Sequence, residues 1–186
     1  MSTAAVHLAT VADATEIARI QQVTWRAAYA ELLGAAALDA LDEAELAQHW
    51  REAVEHPATD VYLALEGEFT VGFCVAGQAP GEEVAAADGS LPADADRTGL
   101  IATVLVEPRW GRRGHGGRLL AGAAAGLRER GAERGITWVA QADPASLSFF
   151  RRAGWQPDGT VRTLDTGERT VKELRLTGGL DLELDG

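Results

Sequence analysis

The stretch that most constrains the fold runs from Leu100 to Ala142. "LIATVLVEP" is a nearly unbroken apolar run stopped by Pro108, which reads as a buried strand, because proline has no N–H to give a ladder. "WGRRGHGGRLL" follows, with four glycines and three arginines in eleven positions. "GRLLAGAAAGLRERG" then has the pattern of an amphipathic helix, with Gly131 as its C-cap, and "GITWVAQAD" reads as a second strand. A β–α–β unit near 100–142 requires a sheet with a helix on its face.

The flanking segments extend that sheet. "HLATVA" (7–12) reads as a first strand. "DATE" offers Asp13 as N-cap with Glu16 three residues on, a capping-box pattern, and Ile17, Ile20, Val23, Thr24, Ala27 and Ala28 place a helix at about 14–31. Asp42 and Glu45 start another helix, with Leu46, Trp50 and Val54 as its stripe and Pro57 beyond its end. "DVYLALEG" and "FTVGFCVAGQ" form a hairpin around "EGE". Residues 80–99, rich in Gly, Ala, Asp and Pro without a period, read as a long mobile loop. Asp143 caps a short helix that has Pro144 at its first position and ends at Gly154. Two last strands, about 160–165 and 169–176, flank "DTGE". The expected order is β-α-α-β-β-β-α-β-α-β-β, a mixed α/β (α+β) single sheet. One domain is expected over 1–178, with an acidic tail at 179–186.

Composition narrows the function. At 186 residues, 46% hydrophobic and 24% charged, the chain is large enough for one real core. Its net charge of −11 divides unevenly: residues 1–96 carry a balance of −14 and residues 97–186 one of +3. The overall sign argues against a nucleic-acid partner. Acidity either keeps the protein soluble or divides labour, with an anionic ligand on the C-terminal half and a cationic substrate facing the acidic half. The single cysteine, Cys74, reads as a small buried hydrophobe, forbids an internal disulfide and fits a reducing cytoplasm. "MSTAAVHLATVADATE" lacks the basic start and apolar run of a secretory signal. No segment approaches the roughly 18 consecutive apolar residues of a membrane span. His7, His49, His56 and His115 are scattered, so no metal site is expected. Trp50, Trp138 and Trp155 read as core, and Trp25 as core or a pocket wall.

The glycine–arginine turn fails two tests. Gly111 and Gly116 have Walker spacing, but Gly117 and Arg118 stand where Lys and Ser/Thr are needed to reach a phosphate and a magnesium ion. Gly114 and Gly116 begin a dinucleotide fingerprint whose sixth position is Leu119. What survives is general: glycines allow close backbone approach, and a helix N-terminus favours anions. Arg109, Arg112, Arg113 and Arg118 add positive charge, with no acid among residues 108–118. The turn is therefore either an anion cradle or a glycine bend with solvated arginines.

The wider context resembles a known family. Val106, Pro108, Gly114, Gly116, Leu119 and Leu120 match the V-x-P…G-x-G/A…L-L pattern of the acetyl-CoA pyrophosphate loop in GCN5-related N-acetyltransferases. "DPASLSFFRRAGW" is similar to that family's N-x-x-A-x-x-F-Y-x-x-x-G-F segment, with Ser146, Phe149, Gly154 and Trp155 in place. "TWRAAYAELL" resembles the first helix of bacterial members. The resemblance covers about residues 5–177. It implies acetyl-CoA in a cleft where the strand 100–106 splays from the strand 136–142, and it implies no metal. Pantetheine would lie along Val104, Leu105 and Val106. Pyrophosphate would rest on backbone N–H groups of Arg112, Arg113, Gly114, His115, Gly116 and Gly117, with Gly111, Asp143, Ser146, Phe149 and Phe150 around the cofactor.

Four positions depart from the pattern. Gly111 replaces Gln or Arg, and Asp143 replaces Asn. Phe150 stands where a tyrosine often protonates the thiolate, and Leu100 where an acid often helps deprotonate the amine. Candidates for the missing proton chemistry are Ser146, Tyr29, Glu107 and His115. Each has a plainer reading: Ser146 as a helix cap, Tyr29 on a buried helix face, Glu107 solvated at a strand end, His115 exposed in the turn. The implied function is acetyl transfer to the primary amine of a small molecule or peptide, a cationic one if the acidic half faces it, with a homodimer common among relatives. The alternatives are a catalytically impaired CoA-binding sensor or interaction protein of the same fold, or a partner-binding domain without cofactor.

Overall fold

A computed structural model describes residues 3–182. Seven strands form one sheet in the order β1-β2-β3-β4-β5-β7-β6. They are β1 (Ala4–Leu8), β2 (Thr59–Glu66), β3 (Phe69–Gln78), β4 (Thr98–Val106), β5 (Arg134–Ala140), β6 (Gln156–Asp165) and β7 (Thr170–Gly179). β4 and β5 run parallel; every other neighbouring pair is antiparallel. The parallel pair needs a crossover, supplied by helix α6 (His115–Glu129).

Strand alternation assigns the two faces. Val61, Leu63 and Phe73 point toward α1 (Ala14–Ala28) and α4 (Glu43–Glu55), where Ile17, Ile20 and Trp50 complete a core. Tyr62, Ala64 and Cys74 point the other way, into a core with Leu119, Leu120 and Leu127 of α6 and with Leu147 and Phe150 of α7 (Pro144–Arg152). Trp50 and Trp155 are buried as expected, whereas Trp138 and Trp25 are half-buried. Cys74 is fully buried, which pushes its thiol pKa up.

Several local expectations are corrected. The first strand lies at Ala4–Leu8 rather than 7–12. Asp13 does not cap α1 through its side chain; it closes a turn one step earlier, accepting from the Thr10 backbone N–H at 2.7 Å and from the Thr10 hydroxyl at 3.1 Å. The helix expected over 14–31 breaks at Tyr29 (φ −121°, ψ 9°), and two short helices follow, α2 (Ala30–Leu33) and α3 (Ala35–Asp39). The segment 80–99 is not structureless: it contains a helical turn, α5 (Gly81–Val84), and its last two residues already belong to β4. Glu83 accepts from Trp138 and from Arg162 at 3.1 Å, and Asp94 accepts from Arg134, so side chains of later elements hold it. β6 begins at Gln156, before the expected 160. β7 runs to Gly179 and Leu180 is buried, so the sheet takes in the start of the expected acidic tail. Residues 183–186 lie outside the described residues.

Candidate functional site

The centre of the sheet is split. β4 and β5 pair only from Thr98/Arg134 to Ile101/Thr137, although both strands continue. Two features end the ladder. Across β3 the register passes from Val75↔Thr103 to Ala76↔Ile101, leaving Ala102 as an extra, bulged residue that bends β4 away. The buried Thr137 hydroxyl donates to the Ile101 carbonyl at 2.7 Å, satisfying an acceptor at the fork.

A groove of about 900 Å³ runs from this fork along Val104, Leu105 and Val106 to the glycine–arginine turn. Pro108–Trp110 make one 3-10 turn, and the chain then passes through positive φ at Arg112 (63°) and Gly114 (79°) before α6 begins at His115. Gly114 is the position where a side chain would be strained. Arg118 is the first residue of α6 whose N–H finds an acceptor, the Gly114 carbonyl at 3.1 Å, so the N–H groups of His115, Gly116 and Gly117 remain available at the helix start. Gly111, Arg112, Gly114, His115, Gly116 and Gly117 all line the groove, with Ser146 and Phe149 opposite. Arg113 does not line it; its guanidinium donates to Glu66 at 2.8 Å. Arg112 and Arg118 have no ion-pair partner among the described residues, which leaves their charge available near the turn.

Two candidates have different surroundings from those expected. His115 is not exposed: it is 2% accessible, and its Nε2 donates to Glu66 at 2.8 Å. Its Nδ1 is buried without a partner. The His115 imidazole, and then the Arg113 guanidinium, hold the Glu66 carboxyl below the usual carboxylate range. Glu107 is not solvated: it is 4% accessible, accepts from Arg109 at 2.7 Å and Arg19 at 3.2 Å, and lines no cavity of the site.

A hydrogen-bonded trio spans the fork. Tyr29, at the break after α1, donates its hydroxyl to Asp143 at 3.1 Å. The Ser146 hydroxyl donates to the same oxygen at 2.6 Å, and the Ser146 N–H to the other at 3.1 Å. Asp143 is thus a helix cap and a junction at once. Burial, with the neighbouring Asp143 charge, raises the Tyr29 pKa, so the phenol stays protonated at neutral pH. Beyond the trio lies a second chamber of about 230 Å³, bounded by Trp25, Trp138 and Phe150 among others, which shares Tyr29, Val104, Leu105 and Ser146 with the groove. Phe150 is buried against Phe149 and Trp155 and offers no proton. Leu100 lines neither cavity and packs beside Val84 and Ile136.

Sequence reasoning missed Glu66, Thr137 and the Ala102 bulge. The first lies 49 residues from its partner His115, and nothing local marks the other two. Among the described residues no group of three or more His, Cys, Asp or Glu could hold a metal ion, and no helix is long and apolar enough to cross a membrane.

Comparison with known proteins bears on this geometry. The family model described as Acetyltransferase (GNAT) family matches residues 17–155. No curated protein sequence matches the chain. Among solved structures, the PaiA N-acetyltransferase of Thermoplasma acidophilum, in complex with coenzyme A, superposes with a TM-score of 0.70 at 12% identity, covering 95% of this chain and 99% of that one. YncA of Salmonella typhimurium, with its cofactor acetyl-CoA, gives 0.69 at 17% identity, covering 98% and 96%. Ribosomal-protein-alanine N-acetyltransferase of Brucella melitensis gives 0.72 at 20% identity, covering 94% and 99%. At such identities the likeness is one of fold. The family match over most of the chain, on a sheet that forks beside a glycine-rich helix start, places this protein in the GNAT acetyltransferase family.

Proposed function

We propose that the protein transfers an acetyl group from acetyl-CoA to a primary amine. One observation carries the reading: the fork between β4 and β5 opens into a groove that ends on the unpaired N–H groups of the α6 start. The groove fits a long ligand with an anionic end, because free helix N–H groups and the unpaired Arg112 favour phosphate while the β4 edge presents backbone donors and acceptors. Solved neighbours of the same fold carry coenzyme A or acetyl-CoA, which supports that choice of ligand.

In this reading acetyl-CoA supplies the thioester. Gly111, Arg112, Arg113, Gly114, His115, Gly116 and Gly117 form or support the diphosphate cradle, Val104–Val106 hold the pantetheine arm, and Phe149 packs beside it. Transfer forms a C–N bond and breaks a C–S bond; the amine attacks in its neutral form, its nitrogen then releases one proton to water, and one proton reaches the thiolate. Tyr29 delivers the second and is reprotonated from water. It is one of only two tyrosines in the chain, and the other, Tyr62, lies on the opposite face of the sheet against α6. Asp143 and Ser146 position its hydroxyl. Alignment of the reactants supplies most of the acceleration, with proton transfer adding about 10²–10⁴-fold.

Titration calorimetry with CoA and thiol release from acetyl-CoA over a panel of amines test this. Gly114→Val strains a positive-φ position by about 1–3 kcal/mol and weakens CoA binding at least about ten-fold. Failure of the unmodified protein to bind CoA at millimolar concentration overturns the proposal. Tight CoA binding without transfer to any amine favours the second reading, a CoA-binding protein without efficient catalysis, which rests on Phe150 and Leu100 at the two customary proton-handling positions.

A further inference from the structure

The chamber beyond the Tyr29–Asp143–Ser146 trio is built for a particular kind of molecule. Trp25, Leu32, Leu33, Trp138, Phe150 and Leu164 supply the bulky apolar part of its wall. Its volume, about 230 Å³, exceeds the roughly 150 Å³ that encloses a benzene ring by only a few methylene groups. Across it, α2 meets the β6–β7 turn, where the Thr166 hydroxyl donates to the Leu33 carbonyl at 2.8 Å and bounds the space on that side.

Its charges are few. The carboxylates that line it are Asp143 and Glu173. Glu173 accepts from Arg162 at 2.7 Å, and that same guanidinium lies over the Trp138 ring and also donates to Glu83 at 3.1 Å. Asp143 accepts only from neutral donors: the Tyr29 and Ser146 hydroxyls and one backbone N–H. The carboxylate without a cationic partner is therefore the one at the mouth, where chamber and groove share Tyr29 and Ser146. An ammonium is attracted there, beside the place where the thioester would lie. A second cation on the same molecule would lie among Trp and Leu side chains, where the one carboxylate within the chamber, Glu173, is already held by Arg162. Phe150 belongs to this arrangement, since a hydroxyl at that wall would need a partner among apolar neighbours.

We infer that the acceptor is a primary monoamine on a compact apolar body, aromatic or branched, with its nitrogen at Asp143 and its body in the chamber. This rests on the acetyl-transfer reading for what happens to the amine, and on the chamber alone for which amine binds. The probes are 2-phenylethylamine, 1,4-diaminobutane and trialanine. Each is titrated calorimetrically into the full-length protein with and without saturating CoA, and each is assayed for thiol release from acetyl-CoA.

The expected result is that 2-phenylethylamine binds at least ten-fold tighter than either competitor and leads in kcat/KM by a similar factor. Leu164→Asp, which places a charge in the wall, is expected to remove that lead, while Val161→Asp, on the same strand but outside the chamber, leaves it unchanged. Equal or better binding and turnover of the diamine or the peptide, with CoA still bound, overturns the inference and leaves acetyl transfer standing. The amine order intact without any CoA binding supports the chamber's selectivity and overturns acetyl transfer instead.

Discussion

Tyr29 owes its position to a broken helix. The non-helical backbone at the end of α1 lets the phenol reach Asp143, 114 residues away, while the side chain still packs against the core that α1 helps form. Tyr29→Phe keeps the ring and removes the proton. We expect kcat to fall about 10²-fold with the KM for acetyl-CoA changed less than about two-fold, and steady-state thiol-release kinetics check it. Part of this residue-scale picture is legible in the sequence. Asp143-Pro144-Ala145-Ser146 announces a capped helix, and the cap is there at 3.1 Å. His115 and Glu107 were not legible, because burial turns on partners far along the chain: Glu66 for the first, and Arg19, 88 residues distant, for the second. A charged residue beside a turn has no local mark that says whether a partner will cover it.

At the scale of elements, α6 sets how the cradle meets the sheet. It lies close enough that a Cβ at Gly126 would overlap the Tyr62 hydroxyl of β2. Alanine there gains up to about 1 kcal/mol of helix propensity, yet the overlap outweighs it. Gly126→Ala is expected to lower the melting temperature, and adding Tyr62→Phe to recover most of the loss; thermal unfolding of both variants and the double variant checks the coupling. The long periodic elements were readable because their own residues carry the signal: the Asp42–Glu45 start of α4, the stripe of α6, the Pro144 start of α7. The break at Tyr29 and the turn at Gly81–Val84 were not. They are held by groups outside their own segments, the Thr166 hydroxyl on Leu33 and the side chains of Trp138, Arg162 and Arg175 around Glu83.

For the whole molecule, two buried groups and the half-buried Tyr29 set the alkaline limit. Burial raises the pKa of Tyr29 and Cys74, and pushes Tyr62 up from 10.0 to about 12. The folded chain therefore holds these protons more tightly than the unfolded chain. The stability they contribute is complete below about pH 9, where the unfolded Cys74 thiol begins to ionise, and is lost as pH rises further, the tyrosines following from about pH 10. Melting temperature measured from pH 8 to pH 12 is expected to fall above about pH 9, and above about pH 10 less steeply in Tyr62→Phe. The acidic and basic halves follow directly from the sequence, but the chamber does not: its walls come from α1, α2, β4, β5, α7, β6 and β7, and only the folded sheet brings them together.

The fork also has a mechanical meaning. Four strands, β1 to β4, and three, β5 to β7, are joined edge to edge by only four residue pairs, Thr98/Arg134 to Ile101/Thr137, with α6 packed on the first four. Such a sheet bends most easily along that short seam. A ligand lying in the fork acts as a strut between two stiff panels, and the angle between them is set by what it holds apart. Groove and chamber share Val104 and Leu105 beside that seam, so an occupant of either rests on the same short join.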